Sequence, residues 1–172
     1  MSIRTIMIFP KFENMEIIDN IRKLYDPLAE LVAPHITLVF PFESHISNDE
    51  LSDILKNRLS SIKPFQLKLQ GISKQEDAFG NYLFLNILQG AEEICAINKA
   101  LYENEFKEFF FGVPFTPHMT IGKLPTSKEM DDAYNSIKFM QDTFLTTVDK
   151  ISVEMIGDND ESIIIVENKL YD

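Results

Sequence analysis

Tryptophan is absent from this chain and cysteine occurs once, at position 95. A single cysteine cannot close an internal disulfide. That excludes the stapled scaffold of a small secreted domain and makes a reducing cytoplasm the expected compartment. Cys95 falls in the helical pattern Ile94-Cys95-Ala96-Ile97 and is expected to be a small buried hydrophobe, not a nucleophile. No apolar run approaches the roughly 18 residues of a membrane span. The apolar stretch at residues 3–9 is too short for a signal peptide and lacks a small-residue cleavage site. No membrane partner is therefore expected. Basic residues are scarce: 16 Lys and Arg stand against 27 Asp and Glu, a formal net charge of −11. Both halves of the chain are acidic. Such a surface repels long polyanions and argues against nonspecific binding to duplex DNA. A small phosphate ester, or an RNA end held in one local pocket, remains compatible with it. Glycine, serine and proline nowhere cluster into a linker, and low-complexity tracts are absent.

What is present suits one domain spanning residues 1–172. A chain of 172 residues buries about 70% of its unfolded surface without a staple. Fourteen phenylalanines predict a phenylalanine-rich core. Residues Ile3–Phe9 read as a buried strand ending at Pro10, and Met15, Ile18, Ile21, Leu24 and Tyr25 mark one face of a helix that Pro27 ends. Pro34 to Pro41 encloses a strand, Ser47 opens a helix, and Phe65–Gly71 alternates as a half-buried strand. The second half repeats this order. It has a strand over Tyr82–Ile87 after a Gly80-Asn81 turn, a helix over Ala91–Phe106 and a strand over Pro117–Ile121. A helix from Ser127, one long strand over Phe144–Ile156 and a last strand over Ser162–Val166 complete it. Two lobes are expected, roughly 1–78 and 79–172, related by an approximate two-fold axis.

Only three histidines occur, and two share a context: Pro-His-Ile-Thr-Leu at 34–38 and Pro-His-Met-Thr-Ile at 117–121. With Pro and Thr each near 5% of the chain, a given histidine would have both neighbours about once in 400 times. Two of three would do so in roughly one chain in 50,000. On a strand, residues i and i+2 share a face, so His35 joins Thr37 and His118 joins Thr120. Ile36, Leu38, Met119 and Ile121 are then expected to bury on the other side. Two such pairs meeting in one groove would offer two imidazoles and two hydroxyls. One neutral imidazole can take a proton from water or a ribose hydroxyl, and a protonated one can give a proton to the leaving oxygen. The threonine hydroxyls can donate to non-bridging phosphate oxygens. No metal or other cofactor is required.

This duplicated His-x-Thr-apolar motif resembles that of the two-histidine (2H) phosphoesterases, the superfamily of LigT-like 2′-5′ RNA ligases and RNA cyclic phosphodiesterases. Arg22-Lys23-Leu24-Tyr25-Asp26-Pro27, closely followed by the first motif, is similar to the YjcG-like bacterial branch. The resemblance implies an α+β fold with two lobes, antiparallel sheets facing a central cleft and helices outside. It also implies activity on 2′,3′-cyclic or 2′-5′ phosphodiester bonds, with possible reverse ligation. It maps the catalytic pairs to His35 with Thr37 and His118 with Thr120. Many members carry a basic residue after the first motif, where this chain has Val39-Phe40-Pro41-Phe42.

Four further residues are candidate substrate contacts: Arg22, Tyr25, Phe115 and Lys123. Arg22 and Tyr25 lie on a helix. Lys123 has an odd offset from Thr120 and faces away from it unless Gly122 sits in a bulge. The run Phe109-Phe110-Phe111 is expected in the core. His45 lacks the motif and reads as a surface loop residue, and its spacing to the other histidines matches no compact metal site. Two alternatives to hydrolysis stand: a nucleotide-binding protein that has lost useful catalysis, and a partner protein using its acidic half.

Overall fold

A computed structural model describes residues 2–172, so Met1 lies outside it. Eight strands and four helices make up the fold: β1 (Ser2–Ile8), α1 (Met15–Tyr25), β2 (Ile36–Ser44), α2 (Asn48–Arg58), β3 (Phe65–Asp77), β4 (Gly80–Gln89), α3 (Ala91–Tyr102), β5 (His118–Leu124), α4 (Ser127–Ile137), β6 (Phe144–Val148), β7 (Lys150–Ile156) and β8 (Ser162–Lys169). The strands form two antiparallel four-stranded sheets, ordered β2-β1-β7-β8 and β5-β4-β3-β6. The expected α+β class with two antiparallel sheets is the observed one.

Local chemistry accounts for the element ends. Ser47 and Glu50 cap α2 reciprocally: the Glu50 amide donates to Ser47 Oγ at 3.2 Å and the Ser47 amide donates to Glu50 Oε2 at 2.8 Å. Thr126 caps α4 in the same sense, its hydroxyl accepting from the Glu129 amide. Pro41 sits within β2 without cost to the ladder, because β2 is an edge strand.

The sheets share one core. Ile6, Val39 and Val153 from the first meet Leu67, Leu85, Ile121 and Phe144 from the second, all fully buried. Each fully buried Leu, Ile or Phe contributes about 1.5–3 kcal/mol relative to exposure. The helices interlock the layers: α1, which comes after β1, packs on β5 of the other sheet, and α3, which comes after β4, packs on β2 of the first. The edge strands β2 and β5 lie against each other.

Several elements depart from the sequence pattern. The run 144–156 is two strands in different sheets, broken at Asp149, whose carbonyl accepts from the Leu170 amide. Alternation cannot show this break, because both pieces alternate. The β3–β4 turn falls at Ala78-Phe79, and a division near residue 78 therefore cuts a hairpin of one sheet. The first sheet takes β7 and β8 from late in the chain. The helix over Ala91–Phe106 stops at Tyr102 and gives way to a 3-10 turn at Lys107–Phe109. Cys95 is exposed, because Ile94, Ile97 and Leu101 define the inner stripe of α3 and Cys95 lies beside it. Leu24 is 73% exposed, while Arg22 on the same helix is buried. Of the phenylalanine run, Phe109 packs on Phe42 and Phe106, whereas Phe110 and Phe111 are about half exposed.

Candidate functional site

His35 stands immediately before β2 and His118 opens β5. These are the edge strands that meet between the sheets. The alternation around both motifs runs as the spacing predicts. Ile36, Leu38, Met119 and Ile121 are fully buried, while His35, Thr37, His118 and Thr120 are partly open.

Both edge strands are irregular at the same motif position. On β2, Thr37 opposes Met7 and Val39 opposes Ile6, so Leu38 is the extra residue. On β5, Thr120 opposes Phe84 and Gly122 opposes Leu83, so Ile121 is extra. A bulge re-aims the side chains beyond it. Lys123 now opposes Tyr82, two residues from Phe84, and so lies on the face of Thr120. Its Nζ sits 5.4 Å from the centre of the Tyr82 ring. Phe40 has the same sequence offset from Thr37 but falls within a second irregularity of β2, between the Val39–Ile6 and Phe42–Arg4 pairs. The backbone groups freed by the first bulge are satisfied from α3: Asn98 Nδ2 donates to the Leu38 carbonyl at 2.8 Å, and the Phe40 amide donates to the Tyr102 hydroxyl at 2.9 Å.

The two imidazoles are held alike. Nδ1 of His35 is 2.9 Å from the Ala33 carbonyl and Nδ1 of His118 is 2.7 Å from the Thr116 carbonyl, each two residues earlier. A carbonyl can only accept, so Nδ1 carries the proton and donates. The lone pair of each neutral ring is then on Nε2. Burial, as the dominant cause, pushes both histidines below their usual pKa, against the carbonyl bonds that raise it. His35 is pushed down further by the Arg22 guanidinium and by the charge of His118, and pulled up by Asp26. His118 is pulled up by Asp77. His118 also stacks on Phe84, with ring centres 3.7 Å apart and planes at 22°. Such a face favours the cationic form.

The remaining candidates divide. Arg22 is 1% exposed: its Nε donates to Asp26 at 2.8 Å, Nη1 to the Val32 carbonyl at 2.9 Å and Nη2 to the Leu28 carbonyl at 3.3 Å. It clamps the loop leading to Ala33 and His35, and its burial keeps it from a solute. Tyr25 packs against the core, and a Cβ built on Gly122 would meet Tyr25 Cβ at 3.1 Å. Phe115 also packs on the core from the loop before His118. Tyr82 and Phe84 were not singled out by sequence, and only the pairing of β4 with β5 brings them to the histidine face. Two concavities are walled by neither histidine, though Phe9, beside His35, lines the second. One, of about 610 Å³, is lined by α2 and Glu105, and the other, of about 350 Å³, runs from Ile8 to Lys169. Among the described residues no cluster of three or more His, Cys, Asp or Glu is placed to hold a metal ion. None of the helices is long and apolar enough to cross a membrane.

Comparison with known proteins gives the family and the fold. Residues 10–160 match the family model of the 2′-5′ RNA ligase superfamily. A Bacillus pumilus protein named as a candidate phosphoesterase is 28% identical over 149 residues, 84% of each chain. A similarly named Geobacillus kaustophilus protein is 30% identical over 149 residues, covering 84% of this chain and 83% of its own. The crystal structure of apo LigT from E. coli superposes with a TM-score of 0.62 at 14% identity, over 99% of this chain and 98% of that one. With edge-strand histidines held in the same way on two sheets and a family match over most of its length, the chain belongs to the 2′-5′ RNA ligase superfamily of phosphoesterases.

Proposed function

We propose that this protein is a metal-independent phosphodiesterase acting on 2′,3′-cyclic or 2′-5′ phosphodiester bonds of a nucleotide or RNA end. The observation that carries the reading is the pair of Nδ1-anchored imidazoles on two edge strands bulged at the same motif position. In each neutral ring Nε2 is the free acceptor. One Nε2 takes a proton from water as its oxygen attacks phosphorus. The other ring, protonated, gives its proton to the ribose oxygen as the P–O bond breaks. Thr37 and Thr120, beside the rings, donate to the non-bridging oxygens. Burial lowers both rings, and the stacking of His118 on the Phe84 face, which favours a cation, supports His118 as the acid and His35 as the base. E. coli LigT has been crystallised with 3′-AMP and with phosphate, which fits a small nucleotide as the partner.

The test is turnover of 2′,3′-cyclic nucleotides and 2′-5′-linked oligonucleotides in EDTA. His35→Ala or His118→Ala is expected to cost roughly 10²–10⁴ in rate. His118→Ala should remove the alkaline limb of the pH profile and His35→Ala the acid limb. No turnover of any of these esters by folded protein refutes the reading. Phe40, at the sequence offset where the second motif has Lys123, favours a second reading, a nucleotide-binding protein with little catalysis. Calorimetric affinity for nucleotides without product formation would support that instead.

A further inference from the structure

We propose that the first sheet carries a second anion subsite, formed by Lys11, Lys150 and Lys169, that takes a phosphate one nucleoside away from the reacting one. The inference rests on the phosphodiesterase reading for the position of the reacting phosphate. It deepens that reading by naming the substrate class: a nucleoside flanked by two phosphates.

The sheet register carries the argument. Thr37 opposes Met7, Met7 opposes Ser152 and Ser152 opposes Glu167, so these four cross the sheet in one row on one face. Two residues along each strand, the next row on that face begins at His35, passes Phe9 and reaches Lys150, which opposes Lys169. The rings of His35 and Phe9 lie 6.0 Å apart, as neighbours in such a row should. Counting strands from β2, Lys150 stands two spacings away, about 10 Å, and Lys169 three, about 14 Å. Their flexible stems can reach part of the way back. That distance is too long for the phosphate between the imidazoles and suits the next one, with the nucleoside lying over Phe9.

A concavity exists at this place. The space of about 350 Å³ is walled by Phe9, Lys11, Thr147, Lys150 and Lys169, with Asp149 also on its rim. Its charge is unusual for a chain of net charge −11. Lys150 is paired with Glu167 at 2.7 Å, but neither Lys11 nor Lys169 forms an ion pair among the described residues. Two like charges directly across a ladder, as at Lys150 and Lys169, work against the pairing of strands. A bound anion would offset that repulsion. The second sheet has no counterpart, since the row from His118 passes to Asn86 and on toward Gly71. The two-fold likeness of the lobes is therefore broken on the side of His35, which gives the substrate a direction.

The test is calorimetric binding of adenosine 3′-monophosphate, adenosine 3′,5′-bisphosphate and a dinucleotide 3′-phosphate to the wild type and to Lys11→Gln/Lys169→Gln. Both lysines are exposed, so the variant should fold. The bisphosphate should bind the wild type about tenfold more tightly than the monophosphate. Its affinity should also fall more steeply with salt. The double variant should lose this advantage and bind the monophosphate as before. A gain for the dinucleotide identifies the second phosphate as an RNA diester, and a gain for the bisphosphate alone identifies it as a terminal monoester. Equal affinities in the wild type, or an advantage that survives in the variant, overturn the subsite. Because binding is read, absence of turnover would remove the hydrolase reading and leave this result standing.

Discussion

Arg22→Met separates a structural arginine from a substrate-binding one. The Arg22 side chain is 1% exposed and its partner Asp26 6%. The substitution keeps most of the apolar stem but breaks three hydrogen bonds and leaves the Asp26 carboxylate buried without its cation. Removing one partner of a buried pair costs about 3–5 kcal/mol. The orphaned Val32 carbonyl, which accepts at 2.9 Å, lies within the same sum because the two losses share one side chain. Against a total stability of about 5–15 kcal/mol this is large. For a chain of this size it corresponds to a fall in Tm of roughly 6–20 °C. The assay is urea unfolding of Arg22→Met, Asp26→Asn and the double variant. The double variant should recover part of the loss, since it leaves no unpaired charge. Turnover should fall through kcat, because the loop that Arg22 holds carries the Ala33 carbonyl that orients His35. A wild-type unfolding midpoint with a raised KM would refute the argument and return Arg22 to the substrate.

Stability should depend on pH through both motif histidines. Each has a folded pKa below its unfolded value because burial disfavours the charged ring. The unfolded chain then binds more protons, so stability is full above about 6.5 and is lost as pH falls from there toward the folded values. Denaturant midpoints across that window, flat in His35→Ala/His118→Ala, check the sign. Gly122→Ala would press a methyl group against Tyr25 Cβ at 3.1 Å and Leu83 Cδ1 at 3.3 Å. It should cost about 1–3 kcal/mol, read as a lowered midpoint at an unchanged denaturant slope.

The parts of this protein that could be read from the chain are those where one local rule acts alone. Period-two alternation placed Ile36, Leu38, Met119 and Ile121 inside, and the repeated pentapeptide marked the two histidines. Where two rules compete, the pattern misleads. Cys95 lies among apolar neighbours, yet one step of 100° around α3 carries it out of the stripe that Ile94, Ile97 and Leu101 define. Leu24 leaves the inner face its spacing predicts, and Arg22 is buried instead, where it bonds the Val32 and Leu28 carbonyls of the loop after α1. Phe110 and Phe111 read as core by composition, but only Phe109 reaches Phe42.

The bulges are the feature that sequence reasoning could not supply, because an extra residue leaves no mark in composition or period. They show why the motif ends in a bulky apolar residue. Leu38 and Ile121 are the unpaired residues of their strands, and both are fully buried. Each anchors the core side of its kink, and on β5 the kink turns Lys123 onto the face of the histidine. The motif therefore specifies a backbone shape together with its side chains. Two strands built on that shape share their imidazole geometry, while the residues around them differ: Arg22 near one ring and Asp77 near the other, Phe9 and two lysines across one sheet, Phe84 and Asn86 across the other. A common scaffold with unlike neighbours fits the proposed division of acid and base roles between the two histidines.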